Sequence, residues 1–197
     1  MKVNRSALLV FILLVISAFL RLIDGLPAGL APQVAMALLG GALIKDRKWA
    51  FILPILSLFI SDIAFYFLHA AGLTERLGFY QGQWAIYLLF ACITCFGFLM
   101  KKVSLGNVLI YSFAASVFFF LGSNFMTWEV GEGLGRPHTF EGLMLCYGDG
   151  LAFYRQFGLV KGWDANVVLG DMIWSLGLWG AYSVLVRTLV ARPAHTA

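Results

Sequence analysis

The sequence predicts an all-α integral membrane protein in which six transmembrane helices form a bundle. Of the 197 residues, 61% are hydrophobic and only 12% are charged, whereas a soluble domain carries about 25% charged residues. The apolar residues fall into six runs separated by polar segments, a pattern typical of a chain that crosses a membrane several times. The length suits one domain, so we expect residues 1–197 to form a single transmembrane domain.

The predicted helices follow these runs in chain order. A spanning helix needs about 20 mostly apolar residues, and a helix buried among others can be shorter. The first helix follows Lys2 and Arg5, the short second helix follows Pro32, and the third contains Pro54 near its start. The six runs lie at about 6–23, 33–44, 49–71, 84–100, 105–125 and 167–190.

The first run has a second interpretation. Two basic residues, an apolar stretch and small residues such as Ala18 are also the pattern of a cleaved signal peptide. The apolar run continues past Ala18 to Ile23, which is longer than a typical signal-peptide core. We therefore expect this segment to be retained as the first helix.

The lysines and arginines predict one orientation, with both termini in the cytoplasm. Inner segments normally carry the excess of basic residues. With the N-terminus inside, nine basic residues lie in the inner segments: Lys2, Arg5, Lys45, Arg47, Lys48, Lys101, Lys102, Arg187 and Arg192. Five lie outside, spread over much more sequence: Arg21, Arg76, Arg136, Arg155 and Lys161.

Polar and aromatic side chains converge on the predicted outer ends of the helices. Ionisable residues inside a bilayer raise the free energy of the folded protein, so such residues usually indicate a functional site. The predicted substrate-binding residues are Arg21, Asp62, Tyr66, His69, Trp84, Tyr87, Asn124, Trp128, Tyr147, Asp171 and Trp174. The inner halves carry only isolated hydroxyls, which predicts a cup that is open to the outside rather than a channel.

The two aspartates also have a purely structural interpretation. Either Asp62 or Asp171 could pair with Arg21 and form a clasp between helices. The presence of several polar groups at one depth favours a ligand pocket. Both interpretations stay open at this point.

The long external loop, about residues 127–165, contains an amphipathic segment. Phe140, Tyr147 and Phe157 belong to a set of apolar and aromatic residues at helical spacing, and Thr139 is a candidate N-cap. We expect Gly148 and Gly150 to break the segment in its middle. The segment is either a lid over the cup or a seal at the surface of the helices.

The sequence contains few residues in the patterns typical of catalytic or metal-binding sites. Cys92 and Cys95 form C-x-x-C, but they lie in an apolar run with no basic neighbour to activate a thiol. His69 and His138 lack the spacing of metal ligands, so no metal or cofactor is predicted. The chain has no P-loop and no recognisable catalytic motif. The basic residues are explained by topology, so no nucleic-acid partner is expected.

Several short motifs follow one another between residues 21 and 171. They are Arg21-Leu22, Leu30-Ala31-Pro32, Ala37–Ala42, Ser61-Asp62, Asn124-Phe125 with Trp128, Thr139 with Gly142-Leu143, Cys146-Tyr147, Phe153-Tyr154-Arg155 and Gly170-Asp171. In this order they resemble an uncharacterised bacterial family described only as transport proteins. That family is in turn similar to the substrate-binding S-components of energy-coupling-factor transporters.

The resemblance implies a six-helix protein of the bacterial cytoplasmic (inner) membrane that binds a vitamin or similar micronutrient in an outward pocket. It also implies a partner module, made of one membrane scaffold and two ATPases, that drives release inside. Some relatives are proposed to work alone, such as a small cobalamin transporter with a cobalt-binding cysteine just after its third helix. No cysteine lies in that region here, and His69 is the nearest possible cobalt ligand, so a corrinoid is one candidate among others.

The predicted function is therefore the capture of a small molecule in an outward-facing pocket for uptake across the membrane. The protein is not expected to be an enzyme. One alternative is a membrane-embedded thiol oxidoreductase that uses Cys92 and Cys95. Another is a structural membrane subunit that binds no ligand.

Overall fold

The computed structural model describes residues 15–16, 19–23, 26–130, 135–186 and 188, and its regular structure over these residues is helical. The helices are α1 Gln33–Leu43, α2 Arg47–Ala70, α3 Gln83–Leu99, α4 Leu105–Glu129, α5 Phe140–Phe157 and α6 Asn166–Leu185. Three of them, α2, α4 and α6, are long and apolar enough to cross a membrane. The shorter helices α1 and α3 are also apolar.

Five of the predicted runs coincide with helices of the structure, and each of these helices starts within two residues of its predicted start. Most of the predicted first helix, 6–23, lies outside the described residues, and so do both chain termini. The last helix was predicted to continue to residue 190; α6 covers Asn166–Leu185, and residues 187, 189 and 190 of the predicted helix lie outside the described residues.

Helix α5 has no counterpart among the six predicted apolar runs. It lies inside the long loop that the sequence predicts at about residues 127–165. Thr139 is its N-cap as predicted, since its side chain accepts a hydrogen bond from the Gly142 backbone N–H at 3.1 Å. The predicted break was wrong, because α5 continues through Gly148 and Gly150. Gly150 is required for close approach instead, since a β-carbon there would overlap the Asn124 side chain of α4.

Local hydrogen bonds stabilise α2 at its N-terminus and at the proline in its interior. Asp46 caps its N-terminus by accepting a hydrogen bond from the Lys48 backbone N–H at 2.9 Å. Pro54 lies inside the helix, and the Ser57 hydroxyl donates to the Pro54 carbonyl at 2.7 Å. The helix therefore continues past the proline, as the sequence predicts.

Helix α1 is the centre of the structure. Nine of its 11 residues are buried, and it packs against α2, α3, α4 and α6. Its closest neighbour is α3, because Gly41 lies against the Thr94 carbonyl and Gly97 lies against the Leu38 carbonyl. Two facing glycines let the two backbones approach closely, as small residues do between membrane helices.

Helix α1 is short, and a non-helical segment precedes it towards one end of the molecule. Its eleven residues, at 1.5 Å each, give a length of about 16 Å, which is roughly half of a bilayer's hydrocarbon core of about 30 Å. Residues 26–32 continue this path, and the Ala28 backbone N–H donates to the Phe157 carbonyl at the end of α5 at 2.7 Å. Non-helical backbone at membrane depth is tolerated where it lines a cavity.

Candidate functional site

A cavity of about 270 Å³ lies where α1, α3 and α6 begin. We call it the central cavity. Its walls come from residues 21–34, from α2 to α6 and from the loop before α3. The residues that line it are Arg21, Gly29, Ala31, Gln33, Val34, Leu58, Tyr80, Ile86, Phe90, Ser116, Phe119, Phe120, Tyr154, Val167 and Asp171.

Asp171 places a carboxylate in the wall of the central cavity that pairs with no cation among the described residues. The residue is 8% exposed and lies in the second turn of α6. Ser116 is its hydrogen-bonding neighbour, and the single proton of the Ser116 hydroxyl is also within reach of the Val167 carbonyl at 2.8 Å. A buried carboxylate without a cation is costly, so this side chain indicates a ligand.

Gln33 is a second polar side chain in the cavity wall without a partner among the described residues. It is the first residue of α1, it is 8% exposed, and its amide forms no hydrogen bond with any of them. Pro32 precedes it and has no side chain that caps the helix. The first backbone N–H groups of α1 are thus uncapped at the cavity wall, and such groups attract acceptors and anions.

Arg21 and Asp62 form an ion pair beside the central cavity. The Asp62 carboxylate is buried at 2% exposure, and its second oxygen accepts hydrogen bonds from the Gln83 amide at 2.5 Å and from the Tyr87 hydroxyl at 2.6 Å. Arg21 also donates to the Ser61 hydroxyl at 2.5 Å. Asp62 is therefore fully bonded and holds three parts of the chain together. This is the geometry of the clasp for Asp62, while Arg21 is both a clasp residue and part of the cavity wall.

Two arginines enclose Phe65 next to this ion pair. The guanidinium carbons of Arg21 and Arg76 lie 5.4 Å and 5.2 Å from the centre of the Phe65 ring. The Arg76 guanidinium also donates to the Arg21 carbonyl at 3.4 Å. These cation–π contacts fix the segment of Arg21 to α2.

Aromatic rings form much of the remaining wall. The Phe90 and Phe119 rings are 5.0 Å apart, and the Phe120 and Tyr154 rings are 6.2 Å apart. Burial raises the pKa of Tyr154 to about 12, and burial also raises the pKa of Tyr80 above its ordinary value. Both phenols are therefore protonated at neutral pH and offer O–H donors to the cavity.

A second cavity of about 410 Å³ adjoins the first. It is lined by the loop before α3 and by the last turns of α4, and it shares Tyr80 and Ile86 with the central cavity. These two side chains therefore border both cavities. The second cavity lies on the side that the sequence predicts to be external.

The layer below Asp171 is more polar than predicted. Ser112 and Ser175 are both completely buried, and the Ser175 hydroxyl donates to the Ser112 hydroxyl at 2.9 Å. The sequence indicated only isolated hydroxyls here. The two serines lie one turn below Ser116 and Asp171 on α4 and α6, which is why they meet.

Of the eleven predicted site residues, Arg21 and Asp171 line the central cavity, and three of the others are exposed. Tyr66 is 53% exposed and Trp84 is 59% exposed. His69 is also exposed, and its Nδ1 lies 3.0 Å from the Thr74 carbonyl oxygen. Gln83 of α3 meets Asp62, so Tyr66 and His69 lie beyond the start of α3, where none of the described helices covers them.

Asn124, Trp128 and Tyr147 hold α4 to the segment around α5. The Cys146 thiol of α5 donates to the Asn124 carbonyl at 3.5 Å, while the Asn124 amide donates within α4 to the Phe120 carbonyl at 2.8 Å. The Trp128 indole donates to the Pro137 carbonyl at 2.9 Å, and the Tyr147 hydroxyl donates to the Leu121 carbonyl at 3.3 Å. These contacts favour the interpretation of α5 as a seal rather than a lid.

The loop between α5 and α6 is fixed by Asn166. This side chain is 1% exposed, and its amide nitrogen donates to the carbonyls of Tyr154, Val160 and Trp163 at 2.6–3.1 Å. An ion pair between Arg155 and Asp164 closes the loop from outside and lowers the pKa of the Asp164 carboxyl.

Trp174 and the cysteines do not line the central cavity. The Trp174 indole N–H is buried and has no partner among the described residues. Cys92, Cys95 and Cys146 are free thiols, and Cys95 lies exposed on the surface of α3. Within the described ranges, no group of three His, Cys, Asp or Glu side chains could hold a metal ion.

Sequence reasoning missed several residues of the cavity wall, namely Gln33, Tyr80, Ser116 and Tyr154. Gln33 carried a usable signal, because it is a polar residue that opens an otherwise apolar run. Tyr80 and Tyr154 had none, since they lie in segments whose path depends on tertiary contacts.

The described elements define the class of protein: it is all-helical, and three of its helices could cross a membrane. The chain belongs to the Family of unknown function (DUF6580), whose model matches residues 1–194. No curated protein and no solved structure matches the chain. The similarity to S-components of energy-coupling-factor transporters thus stays a prediction.

Proposed function

We propose that the protein is a membrane transport protein that captures a small molecule in the central cavity for uptake. The observation that carries this proposal is the pair of buried polar side chains that line the cavity: among the described residues, Asp171 pairs with no cation and the Gln33 amide forms no hydrogen bond. In a structural clasp the polar groups bond to one another, as Asp62 bonds to Arg21, Gln83 and Tyr87. In a ligand site some polar groups are left to bond the ligand.

A membrane location is supported by the surface of the helices. Large apolar side chains are exposed along α2 and α4, among them Ile52, Phe59, Phe67, Ile110 and Phe113. An apolar surface of this extent on a soluble protein would mark a binding site or promote aggregation. Lipid contact accounts for it, and the distribution of basic residues favours the orientation with the central cavity towards the outside.

The size of the cavity favours a small ligand. At about 30 Å³ for each water molecule, 270 Å³ holds about nine waters. A corrinoid is far larger than this space, so we favour a molecule of roughly ten to a dozen non-hydrogen atoms. The aromatic wall suits an apolar or ring-bearing part of that molecule.

The resemblance to S-components extends the proposal to a location and a partner. We place the protein in the bacterial cytoplasmic (inner) membrane, where an energy-coupling module of a scaffold and ATPases would drive release. The chain contains no P-loop, which agrees with energy supplied by another protein.

The alternatives receive less support from the geometry. A thiol oxidoreductase would need its thiols near a substrate, but neither Cys92 nor Cys95 lines the central cavity. In a structural subunit that binds no ligand, no ligand group would offset the free-energy cost of burying the Asp171 carboxylate.

A cavity-filling substitution tests the proposal. Ala31 lines the central cavity, whereas Ala152 is exposed on α5. Wild-type protein, Ala31→Phe and the control Ala152→Phe are purified in mild detergent, and their bound small molecules are extracted and identified by mass spectrometry. We expect the same small molecule from the wild type and the control, and at least a tenfold loss from folded Ala31→Phe. Equal amounts from all three would contradict capture in this cavity.

A further inference from the structure

The central cavity has two electrically different ends, and both are built from buried groups. One is the carboxylate of Asp171 on α6. The other combines Arg21 with the uncapped N-terminus of α1 and the Gln33 amide. Each contributes a wall residue that is at least nine-tenths buried, since Gln33 and Asp171 are both 8% exposed.

Among the described residues, no cation pairs with the negative end. The polar neighbour of Asp171 there is the Ser116 hydroxyl, whose single proton is also within reach of the Val167 carbonyl. An ionised carboxylate in a buried site needs a counter-charge or several hydrogen bonds. A ligand ammonium group would supply both, and the nearby aromatic rings would add cation–π attraction.

No acceptor or anion among the described residues caps the positive end. The backbone N–H groups of Gln33, Val34 and Ala35 donate to no acceptor among the described residues. The start of a helix also carries a partial positive charge, and Arg21 adds a full one beside it. Asp62 offsets part of the Arg21 charge, but Asp62 is not part of the cavity wall.

The charges of the wall exclude ligands with a single sign. A purely cationic ligand would lie against Arg21 and the start of α1, and a purely anionic one would lie against Asp171. Burial of like charges is destabilising. A molecule that carries one charge of each sign meets both ends favourably.

Resting on the proposed function, we infer that the captured molecule is a small zwitterion with an ammonium group at Asp171 and a carboxylate at the start of α1. Its apolar part lies among Phe90, Phe119 and Phe120. An amino acid with an apolar or aromatic side chain has this chemistry and fits the volume.

The test compares matched ligands that differ in one charged group. Purified protein in detergent is titrated with phenylalanine, with 2-phenylethylamine, which lacks the carboxylate, and with 3-phenylpropionate, which lacks the ammonium group. The same titrations are made with leucine and its two corresponding analogues. The readout is the apparent dissociation constant from ligand-induced thermal stabilisation. We expect at least one zwitterion to bind, and each of its analogues to bind at least tenfold more weakly.

Variants assign the two ends separately. Asp171→Asn should weaken the zwitterion at least tenfold and should strengthen the binding of 3-phenylpropionate, because the variant removes a like charge from the cavity wall. Gln33→Leu should weaken the zwitterion severalfold and leave the binding of 2-phenylethylamine unchanged. Asp149→Asn, whose carboxylate pairs with Arg136 outside the cavity wall, is the control and should bind like the wild type.

Three outcomes would overturn the inference. The amine could bind as tightly as the zwitterion, the carboxylate could do so, or no zwitterion could stabilise the protein. None of these results refutes capture, because the extraction experiment with Ala31→Phe reports a bound molecule of any charge. A failure of that experiment would instead refute the proposed function itself.

Discussion

The guanidinium of Arg21 and the carboxylate of Asp62 form an ion pair across 41 residues of sequence. The pair joins the segment before α1 to α2, and Gln83 and Tyr87 bring in α3 through the other carboxylate oxygen. Asp62 therefore holds the wall of the central cavity in place, whereas Asp171 lines that cavity and forms no ion pair with the described residues. The two aspartates differ in their surroundings.

Substitution of Asp62 should destabilise the protein. In Asp62→Asn, an NH₂ group would face the donors of Gln83 and Tyr87, or else the Arg21 charge would lose its counter-ion. Breaking a buried ion pair costs about 3 kcal/mol. We expect a clearly lower thermal unfolding temperature in detergent, measured by intrinsic fluorescence.

The matched control is Asp149→Asn. Its ion pair with Arg136 is about one-third exposed, and exposed pairs contribute little to stability. We expect almost no change in its unfolding temperature. A folded Asp62→Asn variant as stable as this control would show that Asp62 does not clasp the helices.

Helix α1 should tolerate no side chain at Gly41. A β-carbon there overlaps the Thr94 carbonyl, which belongs to the α3 backbone and cannot rotate away. Overpacking of this kind costs about 1–3 kcal/mol, so Gly41→Ala should lower the unfolding temperature.

Gly177 is the control because a β-carbon there meets no atom within 4 Å. In α6, Gly177→Ala should raise stability by about 1 kcal/mol, since alanine favours a helix over glycine. Opposite signs for the two variants are the expected result. Similar effects would mean that α1 and α3 are not closely packed.

The predicted orientation can be tested with single cysteines. Glu75 lies in the loop after α2 and Lys101 lies in the turn after α3, and both are exposed. In intact cells, a membrane-impermeant maleimide should label Glu75→Cys and should label Lys101→Cys only after permeabilisation. All native cysteines are replaced in both variants. The reverse labelling pattern would invert the topology and place the central cavity on the cytoplasmic side.

The native cysteines should behave as separate thiols. Cys92 and Cys95 lie on α3, and neither lines a described cavity. We expect a lipid-soluble maleimide to label Cys95, and we expect no reversible disulfide between the two thiols when the redox potential is varied. A disulfide with a defined midpoint potential would favour the oxidoreductase hypothesis over transport.

The helices could be predicted because their apolar runs and breaks are local signals. Pro32 marked the start of α1, and the polar cluster at 45–48 marked the start of α2. The continuous α5 was not predicted, because Gly150 weakens a helix locally but here lets α4 come close. Tertiary packing overrides helix propensity at that position.

The sequence predicted that polar side chains gather at one level of the helices, but it did not predict which way each side chain points. Asp62, Tyr66 and His69 share a helix face by spacing. Of these three side chains Asp62 alone is buried, because α3 starts level with it and none of the described helices covers the last turns of α2. Gln33 lies in the cavity wall because it opens α1, and its polar side chain before an apolar run was a signal that the prediction did not use.

The most direct measurement is the native mass spectrum of the protein released from mild detergent, for the wild type and for Asp171→Asn. Asp171 forms no ion pair with the described residues, and the asparagine oxygen can still accept a hydrogen bond from Ser116, so the variant should keep the wild-type unfolding temperature. We expect a small-molecule adduct on the wild type and its loss, at least tenfold, from the folded variant. The same adduct at the same occupancy on both proteins would contradict the claim that the central cavity captures a ligand through Asp171.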